Sequence, residues 1–340
     1  MIARAARWSL VAWIVILAPG CDNVSWGGIQ VGLERAPPDS ASPSADTTSR
    51  PASFPSELEI GSILFAAVRD GDSAFAFAVG SREADGFTVP PLGEEGDRWT
   101  DEILSDRLDP GTRLTLFEQG VRVGTFTVAE RGATGAEFCR PRPTVHGRIE
   151  LVPSAADAQH FLAMEAERGD LVQPRPYSPL QSRYAQRAAT IDMAAAIIPQ
   201  VGAQWPPSLV DIRRDLQVFE LQGREGPAVM ATFLFRDGLV VASAPADAYS
   251  LLVLGEPSDG VYENTYFSYR LVETTGKGAP RYFSHLDWDE DGEDEILLQV
   301  FGEDTSWWAG LDRQGEAWEL AFSDTCGGPD DGAPVGPPAP

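Results

Sequence analysis

Short apolar runs separated by turn-forming clusters recur along most of the chain, and they limit its fold more than any other feature. Ile63 to Val68 and Ala74 to Val79 flank Arg69-Asp70-Gly71-Asp72-Ser73. Arg113 to Gln119 and Val121 to Ala129 flank Gly120, Asp109-Pro110-Gly111 marks another turn, and Gly147 to Val152 is expected to be a further strand. The pattern resumes with Leu216 to Leu221, Ala228 to Arg236, Leu239 to Ala242, Tyr249 to Leu254 and Tyr266 to Val272. It closes with Trp307 to Leu311 and Ala317 to Leu320 on either side of Asp312 to Glu316. Runs of this length bounded by Gly, Asp and Pro predict strands joined by hairpins. The expected class is mainly β (α+β overall), with two β-rich regions of sandwich or partial-propeller type joined by a helical segment. The N-terminal β domain is assigned to residues 57–153 and the C-terminal β domain to residues 207–326. No repeat of fixed period is present, so a complete propeller is not expected.

Residues 154–206 differ in character. Ser154 is placed to cap a helix over Ala155 to Arg168, Pro174 to Pro179 interrupts it, and the Ala-rich stretch Leu180 to Ile198 predicts a second helix stopped by Pro199. The segment is expected to link or pack between the two β regions. Across the 340 residues, 43% hydrophobic content is enough to build a core. A net charge of -25 repels phosphate backbones and argues against nucleic acid. Lys277 is the only lysine, which leaves Schiff-base and P-loop chemistry almost without a candidate.

The N-terminus carries an export pattern. Arg4 and Arg7 precede a short apolar run from Trp8 to Leu17, and Ala18-Pro19-Gly20 then leads to Cys21. Basic, apolar and small residues in that order make residues 1–20 a signal peptide. The apolar run is shorter than the ~20 residues a spanning helix needs. The layout before Cys21 resembles the lipobox of bacterial lipoproteins, with Ala18 at the position where the family prefers Leu. That resemblance implies cleavage after Gly20, an acyl lipid such as palmitate on Cys21, and a membrane-anchored protein in the periplasm or on the cell surface. Plain secretion and an uncleaved anchor are the alternatives. Residues 21–56, rich in Pro, Ser, Ala and Thr over their second half, are expected to be a flexible tether, and residues 327–340 a disordered tail.

One segment is chemically distinct. Seven of the nine residues from Asp287 to Glu295 are acidic, and unneutralised carboxylates so close repel one another. Asp287, Asp289 and Asp291 alternate, and Gly292 permits the sharp turn that would bring them to one point. Hard oxygen ligands suit Ca²⁺. Leu298 stands where an EF-hand loop needs Glu, which excludes that motif. The segment instead resembles the calcium loops of FG-GAP/VCBS-type β repeats of integrin-like propellers. The resemblance implies side-chain ligands at Asp287, Asp289, Asp291 and Glu295 and a backbone-carbonyl ligand at Glu293. It covers about 15 residues and occurs once, where the family repeats it. The alternative is a solvated acidic turn without metal.

Other candidates are weaker. Cys139 and Cys326 are expected to pair in an oxidising compartment once Cys21 is lipidated. His146, His160 and His285 have no metalloprotease spacing, and His285 is expected to be a strand residue beside the loop. Trp307, Trp308 and Trp318 are expected in sheet packing, with a sugar-stacking platform as the alternative. The functional expectation is a non-enzymatic cell-envelope lipoprotein that binds or scaffolds an envelope protein or glycan and carries a structural Ca²⁺. The alternatives are an envelope hydrolase with a dispersed acidic site and a calcium-dependent carbohydrate-binding protein.

Overall fold

The computed structural model describes residues 61–83, 86–132, 138–140, 142–169, 175–315 and 317–325. The expected signal peptide (1–20), Cys21, the expected tether (21–56), Cys326 and the expected tail (327–340) lie outside the described residues. Within them the chain is mainly β, as its turn pattern predicts.

The first seven strands are β1 (Ser62–Asp70), β2 (Ser73–Glu83), β3 (Gly86–Thr88), β4 (Arg113–Glu118), β5 (Val121–Arg131), β6 (Thr144–Leu151) and β7 (His160–Glu165). They run in the order β1-β7-β4-β5-β6-β2-β3, and β1 also pairs with β2. That extra pairing closes six strands into an antiparallel barrel, with β3 added beside β2. Closure removes the unpaired strand edges that an open sheet exposes. Ile63, Phe65 and Ala67 of β1 point inward with Ala74, Ala76, Leu114, Leu116 and Phe126, while Leu64 and Ala66 point outward. Several interior positions are alanine because a six-stranded barrel is narrow. Helix α1 (Glu94–Glu102) adds Trp99 to this interior.

β7 corrects the sequence expectation. Residues 155–168 were expected to be a helix, and instead His160–Glu165 pairs with β1 on one side and β4 on the other, closing the barrel. The helix-favouring Leu162, Ala163 and Met164 are overridden by two ladders of hydrogen bonds and by burial on both faces. Only a 3-10 turn at Pro153–Ala155 and α2 (Ala166–Gly169) are helical there, and the barrel therefore extends past residue 153.

Helix α3 (Tyr184–Gln200) follows and ends one residue beyond Pro199. Then β8 (Arg213–Phe219), β9 (Ala228–Phe235), β10 (Tyr249–Ser258) and β11 (Val261–Leu271) form one four-stranded antiparallel meander. β12 (Ala279–Leu286), β13 (Glu295–Phe301), β14 (Ser306–Gln314) and β15 (Ala317–Ser323) form another. Period-two alternation assigns their faces. Phe219, Met230, Leu252 and Leu254 of the first sheet meet Ile296, Leu298, Trp307 and Trp318 of the second. The opposite face of the first sheet, with Val229, Phe233 and Leu251, packs under Met193 and Ile197 of α3. Gly255 makes room there, since a Cβ would sit 2.7 Å from the Met193 sulfur. The opposite face of the second sheet, with Phe283, Leu297, Trp308 and Phe322, covers Leu64, Phe77, Phe117 and Leu162 on the outside of the barrel. The layers are thus helix, sheet, sheet and barrel. The helical segment lies between the barrel and the first sheet in sequence, and its helix α3 packs on that sheet.

Adjacent Trp307 and Trp308 face opposite layers. With Trp318 they are 8%, 1% and 3% exposed, so their rings are core and offer no platform to a sugar. The strand expected over Leu239 to Ala242 is a loop. The Lys277 ammonium takes the carbonyls of Val240 (2.7 Å) and Ala242 (2.9 Å), and it lies 2.9 Å from the Asp237 carboxylate. The segment's backbone is thus spent on a buried cation.

A strap from the barrel pins the far end of the second sheet. Phe138 bridges Ser306, and the buried Arg142 pairs with the buried Asp324, whose Oδ1 accepts from the Trp308 amide at 2.7 Å. Burial, with the charge of Arg140 next, pulls Arg142 down to about 9. Cys139 Sγ lies 3.6 Å from the Asp324 carbonyl oxygen. Its expected partner Cys326 is outside the described residues.

Replacing Lys277 with methionine leaves Asp237, 2% exposed, without a counter-ion. Breaking a buried pair from one side costs about 3–5 kcal/mol, so urea unfolding of Lys277→Met is expected to show a loss of that order. A loss under about 1 kcal/mol would mean that Asp237 finds water or another partner.

Candidate metal centre

β12 ends at Leu286 and β13 begins at Glu295, so the acidic segment is the loop of one hairpin. Its curl is written in side-chain to backbone hydrogen bonds. The Gly292 amide donates to Asp287 Oδ2 at 3.1 Å, the Asp291 amide to Asp289 Oδ1 at 3.0 Å, and the Glu293 amide to Asp291 Oδ1 at 2.8 Å. Short Asp side chains that capture nearby amides fold the loop back on itself. Gly292, at φ 97°, takes the conformation that only glycine adopts freely. At the base, Glu295 Oε2 accepts from the Trp288 amide at 2.8 Å, and the Trp288 ring packs toward Phe87 of β3.

The result is convergence. One oxygen from each of Asp287, Asp289, Asp291 and Glu295 lies within 4.8 Å of the others, an arrangement that can hold a metal ion. Asp287 Oδ1 and Glu295 Oε1 are buried and have no hydrogen-bond partner. Glu295 is only 2% exposed. Burial, reinforced by Asp289, Asp287 and Asp312, pushes its carboxyl up to about 9, and burial also raises Asp287 and Asp289. Three acids held above their usual range, converging with the Asp291 carboxylate, are the donor set of an oxygen-liganded cation site.

Four of the five residues singled out from the sequence therefore meet through their side chains. Glu293 does not join them in that way. Its carboxylate turns outward to Arg224 at 3.0 Å, which leaves its backbone carbonyl for the role the resemblance implies. Asp294 is buried and accepts from the Gln222 amide at 2.6 Å. Asp312 on β14 presses its charge on the site, and no local signal pointed to it, since only strand pairing brings it near.

His285 is the buried strand residue expected. Its Nε2 donates to the Glu220 carbonyl at 2.9 Å, Nδ1 accepts from the Tyr282 hydroxyl at 2.7 Å, and burial holds its proton affinity down. Sequence reasoning missed Glu118 at the end of β4. Burial pushes its carboxyl to about 8, and its Oε2 has no hydrogen-bond partner. Burial first, and the charge of Glu118 after it, raises the nearby Tyr282 and Tyr177.

Two grooves lie elsewhere. One of about 540 Å³ runs between α3 and β11 and mixes apolar residues such as Met193, Ile197 and Phe267 with the polar Asp192, Gln200 and Asn264. Another of about 470 Å³ holds Arg224, Arg313, Glu256 and Glu263. There Glu256 accepts from Arg313 (2.7 and 2.8 Å) and from Trp318 Nε1 (2.6 Å), which ties it down as a structural acceptor. Compared with known proteins, the chain matches no family model, no curated protein and no solved structure.

Glu118 gives a measurable pH dependence. Folded, it keeps its proton up to about pH 8, whereas an ordinary glutamate releases it near 4.5. The folded state binds more protons throughout that window, so stability falls as pH rises through it. Glu118→Gln cannot ionise. The stability difference between variant and wild type is expected to grow in the variant's favour from pH 4.5 to 8, by at most about 1.4 kcal/mol per pH unit. Parallel curves in chemical denaturation would mean that Glu118 is solvated in the folded state.

Proposed function

We propose that the protein is an exported cell-envelope lipoprotein, anchored through Cys21, with a binding or scaffolding role and one structural Ca²⁺. The ion would be held by Asp287, Asp289, Asp291 and Glu295 with the Glu293 carbonyl. The carrying observation is Glu295, a buried carboxylate with an unpartnered oxygen inside a ring of three aspartates. An oxygen spread of up to 4.8 Å suits an ion with bonds of about 2.3–2.6 Å, whose opposite ligands stand about 5 Å apart. Such an ion would offset the mutual repulsion of the loop and hold its curl.

The other perturbed groups support binding over catalysis. His285 is buried and Glu118 and His160 are partly buried in packing around the barrel and the second sheet. The envelope location rests on the Arg4-to-Cys21 sequence pattern.

Calorimetry with Ca²⁺ is expected to show one site, and the melting temperature to rise on going from EDTA to millimolar calcium. Glu295→Gln is expected to bind at least tenfold more weakly, because a charged ligand becomes a neutral amide. No heat and an unchanged melting temperature for the wild type would overturn the calcium site. Metabolic labelling with palmitate tests the anchor separately. Label on the wild type and none on Cys21→Ser is expected, and equal labelling of both would remove the anchor.

A further inference from the structure

The residues between the ligands have partners of their own. Glu290 sits between Asp289 and Asp291 with φ 65°, a left-handed conformation that side-chain-bearing residues take only when held there. This turns its carboxylate away from the ring and onto the barrel. Arg168 of α2 donates to its Oε1, and Arg82 of β2 lies 3.5 Å from its Oε2. On the other flank Glu293 engages Arg224 and Asp294 engages the Gln222 amide, both in the β8–β9 connection of the first sheet. The hairpin loop of the second sheet therefore touches both neighbouring layers through the residues that do not point at the ion site.

We propose that the loop is a calcium-dependent clasp between the barrel and the sheets. The curl that a bound ion holds is the curl that places Glu290 on Arg82 and Arg168. The inference rests on the calcium reading, which stands on the buried, unpartnered Glu295 oxygen aimed into the ring. Linkage makes the coupling reciprocal: if the ion stabilises the docked curl, docking strengthens the ion. Arg82 and Arg168 thereby become positioning residues for a cation they do not touch.

The sign of their effect discriminates. Two arginines acting only as nearby positive charges disfavour a cation, and removing them tightens binding. Two arginines acting as clasp partners favour the curl, and removing them weakens binding. Calorimetry with Ca²⁺ on the wild type and on Arg82→Gln/Arg168→Gln is paired with hydrogen exchange in calcium and in EDTA.

The double variant is expected to bind about fivefold or more weakly. In the wild type, calcium is expected to slow exchange at residues 165–169 and at the β2–β3 end as well as in the loop. In the variant it is expected to slow exchange in the loop alone. Equal or tighter binding by the variant, or no calcium effect on the barrel of a calcium-binding wild type, overturns the clasp and leaves the calcium site standing. No binding by the wild type removes the calcium site and the clasp with it. The single Arg82→Gln change, at a side chain one-third exposed, gives the same sign at smaller size should the double variant not fold.

Discussion

The sheet β12–β15 is covered on both faces, and the rest of the molecule is arranged around that constraint. One face meets the first sheet and the other the barrel wall, so all seven residues of β13 are buried. The first of those residues is Glu295. A strand that must be apolar on both sides thus begins with a carboxylate, and an uncompensated charge there is costly. The convergence of three aspartates on the same point gives that carboxylate a setting in which one divalent ion would satisfy all four. Site and core are consequences of the same burial.

Apolar burial provides most of the driving force, but it is non-directional and leaves relative placement weakly specified. Placement is set by buried charges at the layer junctions. Arg142 with Asp324 ties the barrel strap to the end of the second sheet. Lys277 with Asp237 ties the start of β12 to the β9–β10 connection, and Arg313 with Glu256 joins the two sheets. Each pair leaves a stranded charge if the layers slide. In a chain with a net charge of -25 most acids must stay in water, and these three pairs each match a buried acid with a cation.

The strands and the hairpins were legible because alternating faces and turn residues act locally. The chain reverses inside each marked cluster, between Asp70 and Ser73, at Gln119-Gly120, and between Gln314 and Ala317. The alternating aspartates and Gly292 were legible for the same reason, since the loop's curl is made by bonds between residues two to five apart. The reading failed where long-range pairing competed with local preference. His160 to Glu165 has helical composition and became the strand that closes the barrel. Leu239 to Ala242 looks like a strand and became the cage of a lysine 35 or more residues away. The adjacent tryptophans were expected in packing, but the two layers they divide between were not visible in their order.

The sequence by itself determined the mainly β class, the turn positions and the four carboxylates of the candidate metal centre. Each is encoded within a dozen or so neighbouring residues. Tertiary structure alone decided barrel closure, the burial of Glu295, the charge of Asp312 at the site, and the reach of Glu290 to Arg82 and Arg168. Those depend on which distant strands pair and which faces lose water, and no short stretch of sequence carries that information.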